Sequence, residues 1–62
     1  MIKYQVHANA RRDSEHAGLI AACAYARSEA VAHPGVLYDV WRDGRKLYRA
    51  QVRGGALEAS WP

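Results

Sequence analysis

Val36-Leu37-Tyr38-Asp39-Val40-Trp41-Arg42-Asp43-Gly44-Arg45-Lys46-Leu47-Tyr48-Arg49-Ala50-Gln51-Val52-Arg53 is the stretch that decides the fold. Two candidate strands, Val36 to Trp41 and Arg45 to Arg53, flank an Asp-Gly pair, a strong hairpin signal. Their apolar sets are Val36, Tyr38, Val40 and Tyr48, Ala50, Val52. Every one of these numbers is even, so the sets share a face only if paired positions sum to an even number. A two-residue Asp43-Gly44 turn pairs Arg42 with Arg45, an odd sum that splits the core. A three-residue loop, Arg42-Asp43-Gly44, pairs Trp41 with Arg45, keeps the core on one side and puts Gly44 at a left-handed bulge position. The three-residue register is therefore expected.

Upstream, Ile2, Tyr4 and Val6 alternate with Lys3, Gln5 and His7, the period of a half-buried strand. Ala8 to Arg12 reads as a polar connection. Asp13 or Ser14 can cap a helix, and Glu15 suits its positive start. The helix is expected from Ser14 to His33, where Pro34-Gly35 stops it. At 3.6 residues per turn, His16, Leu19, Ile20, Cys23, Arg27, Ala30 and Val31 form one thin stripe. Gly18, Ala22, Tyr25 and Glu29 lie opposite. Arg27 is expected to snorkel out along its own stem.

Gly54 to Pro62 shows no clear period and reads as a C-terminal tail, so residues 1–53 form the domain and 54–62 the tail. The expected fold class is α+β: a single β-α-β-β domain, one helix packed on one face of a three-stranded, mostly antiparallel sheet. Antiparallel pairing favours the order with the third strand in the middle, the first strand lying beside it, and the crossover is right-handed.

Sixty-two residues allow one domain with a marginal core, since so short a chain buries only about 60% of its unfolded surface. Cys23 is the only cysteine, which excludes an internal disulfide and suits a reducing compartment. The usual Cys/His metal spacings are missing, so no metal or cofactor is expected. A homodimer is one remaining way to enlarge the core. With no signal-peptide pattern and no membrane-length apolar run, the expected location is cytoplasmic, with no membrane partner. The net charge of +3 is carried by seven Arg and two Lys. Arginine suits bidentate contact with phosphate or carboxylate, although a GC-rich coding sequence also raises Arg and Ala.

One helix covers one side of the sheet. The other side carries Lys3, Gln5, His7, Leu37, Asp39, Trp41, Arg45, Leu47, Arg49, Gln51 and Arg53. In the expected register Trp41 faces Arg45 as a cation–π pair. Trp41, Arg45, Arg49, Arg53, Lys3, Leu37 and Leu47 are the candidate partner-binding residues, because aromatic and arginine side chains dominate interface hot spots. An ordinary solvated face is the alternative. Arg11 and Arg12, just before the helix start, are candidates for a phosphate contact, against a plain solvated loop. Trp61 is either a core plug or a partner anchor.

Catalytic signals are weak. Cys23 falls mid-stripe, where a buried thiol is inert. His7, His16 and His33 are scattered, no carboxylate pair projects from facing strands, and Gly54-Gly55 precedes no helix. A non-enzymatic protein is expected. Trp41 alone offers stacking on the open face, while Tyr4, Tyr38 and Tyr48 point to the core, fewer open aromatics than an RNA-recognition sheet needs.

Ala24-Tyr25-Ala26-Arg27, Pro34-Gly35 and the run Tyr38 to Tyr48 together resemble some small phage-encoded proteins, certain type I anti-CRISPR inhibitors among them. The resemblance spans about half the chain and rests on pattern, not on a motif. It implies a non-enzymatic inhibitor in the host-cell cytoplasm that docks on a multi-subunit surveillance complex and interferes with target DNA. Many such inhibitors are acidic DNA mimics; a basic chain implies direct occlusion instead. The expected function is a macromolecule-binding module that docks on a protein or a protein–nucleic-acid complex. A small basic nucleic-acid binder and a self-assembling homodimeric structural protein are the alternatives.

Overall fold

A computed structural model describes residues 3–61. Ile2, expected at the head of the first strand, and Pro62, expected at the end of the tail, lie outside the described residues. The elements are β1 (Tyr4–Ala8), β2 (Arg11–His16), α1 (Leu19–Ala32), β3 (Tyr38–Arg42), β4 (Arg45–Arg53) and β5 (Ala56–Ser60). They form one five-stranded sheet in the order β2-β1-β3-β4-β5, antiparallel throughout, with α1 on one face.

The expected three-stranded β-α-β-β sheet is thus overturned by two added strands. β2 occupies Arg11 to His16, where a connection and a helix start were expected, and β5 occupies the expected tail. The extra reversal at β2 also changes the topology. The helix returns the chain from β2, not from β1, so the next strand, β3, runs antiparallel to β1 and pairs with it directly. The expected middle position of the third strand is lost with it.

Three two-residue turns build the hairpins. Asn9-Ala10 has φ of 49° and 70°, Asp43-Gly44 has 51° and 75°, and Gly54-Gly55 has 58° and 81°. Both central residues are left-handed in each, the type I′ geometry that matches strand twist. At Asp43-Gly44 the closing pair is Arg42 with Arg45, then Trp41 with Lys46, both odd sums. A shift follows, and Val40 pairs with Tyr48 and Tyr38 with Ala50, both even. The extra residue that restores one apolar side is Leu47, a bulge within β4, and not the third loop residue expected.

Helix α1 begins after Gly18, five residues later than expected, and stops at His33, whose backbone N–H donates to the Glu29 carbonyl at 2.8 Å. Its buried residues are Ala22, Cys23, Ala26 and Ala30, while Ile20 is 85% and Val31 59% exposed. At 100° per residue the buried stripe is turned by about 60° from the expected one. Alanines at the contact let the helix lie close to the sheet, where Val6, Tyr38, Val40, Tyr48 and Ala50 complete the core. Val6 and Val40 are directly paired and fully buried. No helix among the described residues is long and apolar enough to cross a membrane.

Candidate binding face

The pleat that turns Tyr38, Val40, Tyr48 and Ala50 toward α1 turns their odd-numbered neighbours to the uncovered side. The ladder then sets those side chains in rows across the sheet. One row runs Arg12, His7, Asp39, Arg49, Ser60, and the next runs Glu15, Gln5, Trp41, Lys46. At about 4.8 Å per strand the longer row spans about 19 Å.

Asp39 and Trp41 hold the centre. Asp39 is only 4% exposed, an unusual burial for a carboxylate on an uncovered face. Among the described residues its Oδ1 has no hydrogen-bond partner, and neither does the buried indole Nε1 of Trp41 two residues on. Lys46 strides across both: its ammonium lies 5.5 Å from the Trp41 ring centroid and 3.9 Å from Asp39 Oδ1. That distance compensates the charge without making a hydrogen bond. His7 flanks the pair, its ring 5.5 Å from that of Trp41 and its Nε2 3.3 Å from Gln5 Oε1. A buried polar atom left unpaired costs about 1–3 kcal/mol, so the middle of this face stores interaction capacity.

Most cations of the face are already engaged. Lys3 reaches Glu15 at 3.6 Å, Arg12 reaches Glu15 at 3.2 Å and Arg53 reaches Glu58 at 3.8 Å. Arg49 is exposed and makes no ion pair among the described residues. It borders an open trough of about 430 Å³ over β4 and β5, shared with Gln51, Arg53, Glu58 and Ser60.

The expected site residues separate. Trp41, Arg49, Arg53 and Lys3 lie on the uncovered face as expected from their parity. Arg45 does not meet Trp41; it pairs with Arg42 at the hairpin end, and Lys46 takes its place over the indole. Leu47 is the half-buried bulge residue in a cavity with Arg42, Asp43 and Arg45. Leu37 precedes β3, and its backbone N–H donates to Asn9 Oδ1 at 2.9 Å while its carbonyl accepts from the Asn9 N–H at 2.8 Å. Arg11 and Arg12 sit at the β2 end remote from the helix start, so the expected phosphate contact at a helix N-terminus has no geometry here. Trp61 is not a core plug: it is 61% exposed, and its ring rests 4.8 Å from that of Tyr48. Lys46 and His7 were missed as central groups, yet the two-residue Asp-Gly rule itself pairs Trp41 with Lys46.

Cys23 is buried and free, its thiol pushed up by that burial against the opposing pull of Arg27. Among the described residues, no three His, Cys, Asp or Glu side chains gather as a metal ion would need. No protein-family model, curated protein or solved structure matches the chain.

Proposed function

We propose that this chain is a non-catalytic binding module whose uncovered sheet face docks on a protein surface, alone or within a protein–nucleic-acid complex. The observation that carries this is the pair of buried polar atoms at the centre of the face, Asp39 Oδ1 and Trp41 Nε1, that lack a hydrogen-bond partner among the described residues. One needs a donor and the other an acceptor. A peptide group or a side-chain amide brings both, whereas a phosphate at neutral pH brings chiefly acceptors. The long Lys46 side chain can swing aside to admit such a group, and Arg49 stands ready beside it for a carboxylate. The occluding inhibitor implied by the resemblance to phage proteins is one form of this activity.

The small basic nucleic-acid binder is the second reading, favoured by Arg49, which makes no ion pair among the described residues, beside the trough of β4 and β5. Engagement of Lys3, Arg12, Lys46 and Arg53 on the same face by Glu15, Asp39 and Glu58 weakens it, because backbone tracking needs a run of free cations.

Photo-crosslinking in the source cells, followed by affinity measurement with the captured partner, separates the two. Trp41→Ala and Arg49→Glu are each expected to weaken a protein partner by roughly thirtyfold, about 2 kcal/mol. Arg45→Glu, at the hairpin end, serves as the surface control and leaves affinity unchanged. Equal binding by Trp41→Ala and wild type removes the proposed face. Binding to bare DNA or RNA that falls linearly with log salt selects the second reading.

A further inference from the structure

We infer that β5 is the contact edge of a symmetric dimer, in which two copies of this chain pair β5 with β5 antiparallel and extend the sheet without a break. This goes beyond the docking face, and it uses a different surface.

The two-residue turn at Gly54-Gly55 closes on a hydrogen-bonded pair, Arg53 with Ala56. Backbone groups of Ala56, Glu58 and Ser60 therefore point to β4, and those of Leu57, Ala59 and Trp61 point outward. The outward residues also carry the apolar side chains of the strand. Leu57 pairs with Val52 and Ala59 with Ala50, so they share the helix side of the sheet, where Trp61 stacks on Tyr48. Leu57 and Trp61 are among the large apolar side chains left exposed.

Self-pairing has few registers that keep the faces matched, and their side chains rank them. A two-fold axis at Glu58 sets like charges opposite each other, which is destabilising. An axis at Leu57 leaves Ala59 against Gly55 of the other copy and Trp61 unmatched. An axis at Ala59 places Leu57 opposite Trp61 of the other copy, twice, with the two small Ala59 side chains between. On the uncovered side it places Glu58 opposite Ser60 of the other copy, whose hydroxyl can donate to the carboxylate. Arg49, without an ion pair among the described residues, lies beside Ser60 and so two strands, about 9.6 Å, from that Glu58. The outward residues exchange about six backbone hydrogen bonds in this arrangement. Because the axis is perpendicular to the sheet, both helices lie on one side and both uncovered faces on the other.

The test is molar mass against concentration from micromolar to millimolar, by sedimentation or light scattering. Wild type is expected to pass from monomer to dimer. Ala59→Pro removes the outward N–H and no bond to β4, so it weakens association by roughly a hundredfold while the amide spectrum of the monomer stays folded. Leu57→Lys, a charge of the kind that guards natural edges, does the same without a backbone change. Ala59→Cys is expected to form an intermolecular disulfide across the axis, where the Cα separation of about 5.5 Å permits one, and Glu58→Cys is not. A wild type that stays monomeric at millimolar concentration, or a dimer indifferent to both edge variants, overturns the proposal. Either result leaves the docking face of Trp41 and Arg49 untouched, since that face is assayed with its own partner.

Discussion

β2 and β5 are both edge strands of one sheet, and they meet solvent in different ways. β2 reads Arg11-Arg12-Asp13-Ser14-Glu15-His16; it carries a bulge at Asp13, which aims that carboxylate at α1 to accept from the Tyr25 hydroxyl at 2.6 Å. Charge and bulging are the devices by which natural sheets refuse a further strand. β5 reads Ala56-Leu57-Glu58-Ala59-Ser60; it has one charge, no bulge, and every residue exposed. One edge is closed by its chemistry and the other is left ready to be continued. Variants at each end can break or sharpen that contrast.

The largest expected effect is at Tyr48, which is 4% exposed and joins β5 to the rest of the molecule. It accepts a hydrogen bond from Arg27 Nη1 at 3.3 Å and carries the Trp61 ring. Tyr48→Ala is expected to cost about 3–5 kcal/mol, a large part of the roughly 3–9 kcal/mol available to a chain of this size. Urea and thermal melts measure it. A cost below about 1 kcal/mol would mean that β5 is held by its backbone ladder alone.

Gly55 comes next. Its φ is +81°, and a Cβ added there meets nothing within 4 Å, so substitution acts through backbone strain alone. Gly55→Val is expected to cost about 1–2 kcal/mol, concentrated at β5. Hydrogen exchange of the Ala56–Ser60 amides should accelerate more than that of β1 or β2. Uniform acceleration across the sheet would show that β5 unfolds only with everything else.

The same contrast explains what the sequence made legible. β1, β3 and β4 alternate because one side of each is buried, and parity alone demanded an extra residue between Trp41 and Tyr48. It could not locate that residue, since a loop position and Leu47 satisfy parity equally. β2 was hidden because an edge guarded by charge has no apolar alternation, and Asp13-Ser14 imitates a helix cap. β5 did leave a signal: Leu57, Ala59 and Trp61 alternate with Glu58 and Ser60 behind a Gly-Gly pair that favours a type I′ turn. The brevity of that run, and the weight of alanine in it, masked the period. The helix face was misjudged for a related reason: Ile20 and Val31 outweigh alanines on any hydropathy reading, although close packing selected the alanines. Orphaned atoms at Asp39 and Trp41 have no sequence signature, because they depend on where Lys46 comes to rest.

Ala10 gives an effect of opposite sign at the guarded end. It holds φ of +70° in the turn between β1 and β2, a conformation that alanine tolerates poorly. Ala10→Gly relieves about 1–2 kcal/mol of strain and loses about 0.5–1 kcal/mol through the freer unfolded chain. A net gain of about 0.5–1 kcal/mol is expected from denaturant midpoints. Destabilisation instead would mean that the neighbouring Asn9, tied to Leu37, already sets the turn without strain.

Tyr25 supplies the smallest effect and the most specific one. Its hydroxyl donates to Asp13, and this bond, with burial and the charge of Asp13 adding to it, pushes the phenol up from 10.0 to about 12. An acid whose folded value is raised holds its proton more tightly in the folded chain. Its contribution is therefore complete below about pH 10 and is lost as pH rises toward about 12. The bond is exposed, so Tyr25→Phe is expected to cost only about 0.5 kcal/mol near neutrality. The stability difference between wild type and Tyr25→Phe should shrink to nothing across that alkaline window. Tyr38, raised by its own burial, responds in the same direction but is present in both proteins and cancels from the difference. A difference near zero at neutrality and through the window would show that the bulge at Asp13 is held by the β2 backbone and owes nothing to the tyrosine. The closure of that edge would then rest on charge and bulging alone.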